Sequence, residues 1–361
     1  MPSFPPPSLN SQKQVAIREG WLAQREEAAL EPGLPIIDPH HHLWHRDGER
    51  YLLGDLLADT ASGHDVRATV FIQCASMYRA DGPAALRPVG ETEFVNGIAA
   101  MSASGGFGPM RACAGIVGFA DLTLGEAVTP VLEAHMRAAG PRFRGVRNRT
   151  AWHPDPGVRS NLISPPPGPL AEAGFAEGAR ALARLGLTLD VWAYHTQLPA
   201  VLALARAVPE VTIIVNHLGG PLGVGPFAGK RAEVFAAWRP AITALAAEPN
   251  VVVKIGGLAM EVTGFDFHQH ELPPASAHLA SCWKPYVETV VEAFGAARCM
   301  FESNFPVDKG MASYGTIWNA FKRLAADASA EEKAALFSGT ALRVYRLAEV
   351  PGCAGLAGLG E

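Results

Sequence analysis

Two histidines one residue apart close a short apolar run, Ile36-Ile37-Asp38-Pro39-His40-His41-His42-Leu43-Trp44. Side chains two apart on a strand share a face, so His40 and His42 project together while His41 points away. Paired imidazoles at a strand end are half of a metal site, or a paired acid/base device. The apolar lead-in and the trailing Leu-Trp set this run apart from a tag or a surface loop.

Other polar residues sit where apolar runs end. His217 follows Val211-Thr212-Ile213-Ile214-Val215-Asn216 and precedes Leu218-Gly219-Gly220-Pro221, which makes it the strongest partner for the pair. The competing role is a capping histidine bonded to a loop carbonyl. Arg144 and Arg147 flank Gly145-Val146, and Lys254 lies late in Val251-Val252-Val253-Lys254-Ile255. Guanidinium forks suit a carboxylate, and three cations at one mouth favour an anionic ligand. Three apart, the two arginines cannot both face inward on an ideal strand, and structural ion pairs compete with ligand binding for all three cations. Gln73, Tyr194, His195 and Trp44 are candidate substrate contacts, with Tyr194 as a hydrogen-bond donor. Glu302-Ser303-Asn304 ends the last apolar run, with Asp308 just beyond.

These residues need a scaffold that brings many strand ends together. Strand patterns fall at 34–38, 66–74, 111–119, 142–148, 186–192, 211–217, 250–256 and 298–304. Helical spacing falls around 91–102, 125–139, 171–185, 196–208, 231–247, 280–296, 315–326 and 330–347. That alternation predicts an α/β fold, a (β/α)8 TIM barrel over 34–350, whose active residues gather at the C-terminal strand ends. An N-terminal extension, 1–33, precedes it, with a helix expected over 13–30. Two long irregular segments, 150–169 after the fourth strand and 263–274 after the seventh, read as lids or substrate walls. The second carries His268 and His270. No glycine-rich phosphate fingerprint follows the first strand, which argues against a nucleotide fold.

The chain has 361 residues, 48% hydrophobic and 18% charged, with a formal net charge of -5 and no basic block. Nucleic acid and membrane are therefore not expected as partners, whereas self-association is left open. Five cysteines without CxxC spacing fit a reduced, cytoplasmic setting. The proline-rich start, MPSFPPPSLN, does not have the pattern of a signal peptide.

Taken together, the motifs Asp38–Trp44, Phe143–Arg147, Asn216–Pro221, Val253–Leu258 and Glu302–Val307 resemble the amidohydrolase superfamily. The likeness is to its amidohydrolase 2 branch, in the group of 2-pyrone-4,6-dicarboxylate lactonase, 4-sulfomuconolactone hydrolase and L-fuconolactonase. The resemblance implies a barrel with His40, His42 and His217 at the reaction centre. It also implies hydrolysis of a C–O bond in a small carboxylate-bearing lactone, in aromatic or sugar-acid catabolism. A divalent metal, zinc or manganese, on His40, His42, His217 and Glu302 is implied, although members without metal exist. The family's last strand usually ends Gly-Ser-Asp-Trp-Pro, and here the aspartate is Asn304, which is neither a general base nor a good hard-metal ligand. Glu302 stands where that glycine would be and faces the same way, so a carboxylate lost at one layer can return one layer deeper. Asp308 is a second source. The alternatives are a metal-dependent decarboxylase of an aromatic or enoic acid, and a non-catalytic barrel that binds a small anion.

Overall fold

A computed structural model describes residues 14–46, 49–160, 164–349 and 353–359. The eight expected strands are all present: β1 (Pro35–His41), β2 (Asp65–Ile72), β3 (Arg111–Gly118), β4 (Phe143–Arg149), β5 (Thr188–Trp192), β6 (Ile213–Val215), β7 (Val251–Ile255) and β8 (Cys299–Phe301). Each pairs in parallel with the next in chain order. The residues just beyond β8 close the ring onto β1: Asn304 N–H donates to His40 O at 2.9 Å and His42 N–H donates to Phe305 O at 2.7 Å. The result is a (β/α)8 barrel.

Helices α1 (Leu53–Thr60), α2 (Val89–Ala103), α3 (Thr129–Ala139), α4 (Ala173–Arg184), α5 (Leu198–Ala207), α6 (Arg231–Leu245), α7 (Ser276–Phe294) and α8 (Tyr314–Leu324) follow the strands in turn. Their starts are locally encoded. Prolines occupy the first turns of α3 and α5, where a missing N–H costs nothing, and Ser313 caps α8 by accepting from Thr316 N–H. The outer core between strands and helices is large and apolar, with Phe71, Phe175, Trp238, Trp283 and Phe301 among its members. A second cluster fills the barrel floor: Ile37, Val70, Ile214, Val252 and Met300, plugged by Leu342, Tyr345 and Leu347 from the C-terminal helical segment.

Two expectations change. α1 and a small ribbon, Trp44–Arg46 with Glu49–Tyr51, carry no separate signal in the sequence pattern. The helix expected over 13–30 shrinks to one turn, Glu19–Leu22. Its side chains are engaged elsewhere: Trp21 Nε1 donates to His270 O and Glu271 O, Arg25 Nε donates to Pro273 O, and Glu27 accepts from Ser276 N–H. Tertiary bonds to the segment after β7 override local helical spacing here. The boundary expected at 350 and residues 1–12 lie outside the described residues.

Candidate active site

Below the barrel mouth, polar residues replace the apolar floor. Lys254 and Asp190 form a fully buried ion pair at 2.7 Å. Asp190 also accepts from Tyr345 OH at 3.0 Å and from Asn216 Nδ2 at 2.9 Å. This network satisfies Asp190 from three elements, as a buried carboxylate requires.

Glu302 sits at the same depth, wholly buried, beneath two imidazoles. Its Oε1 lies 2.6 Å from His217 Nδ1, and its Oε2 lies 2.6 Å from His40 Nδ1 without the alignment of a hydrogen bond. The space comes from Gly256 and Gly257 after β7. A β-carbon at Gly256 would lie 2.3 Å from Glu302 Cγ, and one at Gly257 would lie 2.4 Å from His217 Nδ1. Gly257 also has φ +64°, a region L side chains rarely adopt. His217 and Asn304 adopt positive φ without being glycine, so both strand ends carry local strain where the polar groups converge.

His40 is flanked by donors on both nitrogens: Arg147 Nη1 lies 3.2 Å from Nε2, and Lys254 Nζ lies 3.5 Å from Nδ1, the nitrogen that also faces Glu302 Oε2. His42 Nδ1 lies 2.7 Å from Ile72 O, an acceptor, which places its proton on Nδ1. His42 and His217 line the cavity, and neither Nε2 has a hydrogen-bond partner among the described residues. Burial, then nearby cations, pushes the imidazoles of His40, His42 and His217 well below their usual range, which keeps them neutral. Burial raises the Glu302 carboxyl to about 8 against the pull of Lys254. Asp308 is raised as well, chiefly by burial, and accepts from Asn304 Nδ2 at 2.7 Å and Ala259 N–H at 3.0 Å.

The cavity above these groups is cationic. Arg46, Arg147 and Arg149 line it, and no Asp or Glu does among the described residues. Gln73 is fully buried there with both amide atoms unpartnered, as is Arg147 Nε. Trp44 and Trp192 form walls, and Ser160, from the segment after β4, also lines the cavity. Asn304 lines the cavity, while Glu302 and Asp308 lie behind it.

Several expected contacts fall elsewhere. Arg144 turns away, donating to Arg346 O at 2.9 Å and pairing with Glu349. Lys254 is held by Asp190, 3.5 Å from His40 Nδ1, and does not line the cavity; a buried ammonium needs such a counter-ion. Tyr194 OH bonds Ser160 Oγ at 2.7 Å, behind the wall, and His195 packs edge-on against Phe227. His268 and His270 do not reach the cavity; their carbonyls accept from Arg18 and Trp21. Arg149 was missed although it lies two residues beyond Arg147, on the same strand face. Arg46, two beyond Trp44 on the ribbon, follows the same rule.

The residues pass a chemical test for a divalent ion. His40, His217 and Glu302 have ligand atoms all within 4.8 Å of one another, and Glu302 Oε2 is a buried oxygen without a hydrogen bond. Imidazole nitrogens with a carboxylate are a donor set that suits zinc.

Comparison with known proteins agrees with this geometry. Residues 37–347 match the amidohydrolase family (Amidohydro_2), and the chain belongs to it. It is thus an enzyme of the amidohydrolase superfamily. The chain is similar to the uncharacterized protein y4mH of Sinorhizobium fredii, 35% identical over 87% of this chain and 99% of that protein. It is also similar to L-fucono-1,5-lactonase of Burkholderia multivorans, 29% identical over 87% of this chain and 96% of that one. A crystal structure of an amidohydrolase from Burkholderia multivorans with bound zinc superimposes with a TM-score of 0.66. It is 26% identical and covers 86% of this chain and 99% of that one. No described helix is long and apolar enough to cross a membrane.

Proposed function

We propose that this protein hydrolyses a small lactone that carries a carboxylate. The observation that carries the reading is the cavity itself: among the described residues three arginines and no acid line it around two neutral imidazoles, one of which rests on a buried glutamate. Arg147 and Arg149 hold the substrate carboxylate, with Arg46 beside them and Gln73 offering an uncommitted amide. Asn304 gives its Nδ2 to Asp308, which leaves its Oδ1 to orient water. When Glu302 is ionised it fixes the proton of His217 on Nδ1, so Nε2 takes the proton of the attacking water. Glu302 then stabilises the imidazolium, as a carboxylate does behind any histidine base. Water adds to the ring carbonyl, the C–O bond to the ring oxygen breaks, and the His217 proton passes to the departing alkoxide. Glu302 thus acts through His217 rather than on water directly.

Zinc or manganese is part of this proposal. His40, His217 and Glu302 would hold it, with His42 adjacent; such an ion would polarise a carbonyl and acidify water in place of the His217–Glu302 proton relay, which describes the metal-free protein. The relatives named above support the lactone reading, since one is a lactonase and one binds zinc.

The test is a panel of aldonolactones, L-fucono-1,5-lactone included, and carboxylate-bearing lactones, with products followed by mass. Addition of one water to a carboxylate-bearing lactone supports the proposal, whereas addition to the neutral aldonolactones alone keeps the lactonase and removes the substrate carboxylate. Release of CO2 from an aromatic or enoic acid, with every lactone untouched, replaces it with a decarboxylase, and no turnover of either class overturns it. Metal analysis of the purified protein, beside a His40→Ala/His217→Ala variant, checks the ion.

A further inference from the structure

The N-terminal segment lies outside the family match at 37–347, yet it reaches the site. Gln14 lines the cavity together with His42, Arg147 and Asn304. The next residue is seated firmly: a β-carbon at Gly310, in the turn after β8, would lie 2.4 Å from Val15 O. Glu19 pairs with Lys309 of that turn at 2.9 Å, and Lys309 is further held by Asp59 at 2.8 Å. Arg18, Trp21, Arg25 and Glu27 then bond successive groups from His268 to Ser276. The segment therefore straps the turn after β8 to the segment after β7, and its leading described residue faces the substrate space.

From this arrangement we infer that Gln14 is a substrate-contacting residue that helps select the ligand, delivered by the strap as part of the cavity wall. The inference rests on the proposed function for the identity of the ligand but not for the contact. A primary amide among arginines offers both a donor and an acceptor without adding charge, which suits a hydroxyl or ring oxygen beside the substrate carboxylate.

The experiment titrates full-length wild type with L-fuconate, gluconate and muconate and follows the fluorescence of Trp44 and Trp192. The acid bound most tightly is then titrated into Gln14→Ala, Gln14→Glu and Trp21→Ala. Expected is a rise in Kd of at least about five-fold for Gln14→Ala, the worth of one hydrogen bond, and more for Gln14→Glu, which adds a like charge. Trp21→Ala, remote from the cavity, is expected to weaken binding in the same direction by loosening the strap. Where a lactone is turned over, KM should rise more than kcat falls. Kd within two-fold of wild type for both Gln14 variants, with unchanged melting temperature, overturns the inference, as does failure of wild type to bind any of the acids. Binding without lactone turnover would sink the proposed function and leave the Gln14 contact standing or falling on the Kd values alone.

Discussion

Glu302 Oε1 lies 2.6 Å from His217 Nδ1, and the same oxygen accepts from the His217 backbone N–H at 3.3 Å. One carboxylate oxygen therefore accepts from both the ring and the main chain of His217, two residues past the end of β6. Asn304 lines the cavity, and the nearest carboxyl, that of Glu302, stands behind an imidazole.

Loss of either partner should act on the chemical step. His217→Ala is expected to lower kcat by about 10²–10⁴-fold, the range of a general base. Glu302→Gln should fall in the same direction and abolish the pH dependence of the wild type. With the carboxyl raised to about 8, the base-competent form accumulates as pH rises through that value, so kcat/KM of the metal-free enzyme should climb and level off above it. A profile for Glu302→Gln that superimposes on wild type would disprove the pairing.

The same group links pH to stability. The native carboxyl binds a proton up to about 8, whereas the unfolded one releases it near its ordinary value of 4.5. Between those values the folded state holds more protons, so this contribution is full below the lower value and is lost as pH rises through the upper one. Chemical denaturation of the metal-free protein from pH 5 to 9 should show Glu302→Gln losing less stability with rising pH than wild type does.

The arginines should divide by place. Arg147→Met and Arg149→Met are each expected to raise KM about 10- to 100-fold, the worth of a charged hydrogen bond to a carboxylate. Arg144→Met should leave KM unchanged and lower the melting temperature, because its partners are Arg346 O and Glu349. Steady-state kinetics beside thermal melts separate the two outcomes.

Gly257→Ala places a methyl 2.4 Å from His217 Nδ1 at a positive φ. Overpacking and left-handed backbone together should cost about 2–4 kcal/mol. Activity should fall further than stability explains, since the clash falls on the reacting imidazole. A variant with wild-type kcat would show that the ring can move freely.

Much of this architecture could be read in the sequence because barrel strands announce themselves as apolar runs ending in polar residues. Val211–Asn216 led directly to His217, and Ile36–Ile37 to His40 and His42. What could not be read was depth. Lys254 and Arg147 look alike in a sequence, yet one is consumed by Asp190 and the other faces the cavity, a distinction set by partners on strands far along the chain. Arg144 was misplaced because nothing in its neighbours shows that the C-terminal segment folds under the barrel to receive it. The strap was misread as a helix for a similar reason: its side chains answer to carbonyls about 250 residues away.

Barrel closure has a consequence for how this enzyme comes into being. The histidine pair ends the first strand, whereas Glu302 and Asn304 end the last, and the bonds from Asn304 N–H to His40 O and from His42 N–H to Phe305 O stitch that seam. The reaction centre is thus assembled across some of the widest chain separations in the molecule, pairings whose loop entropy makes them slow to form. A ribosome-bound or truncated chain that stops short of β8 carries all three imidazoles but no glutamate for His217 to bond. Catalytic competence is a property of the finished circle, and no arc of it has any share.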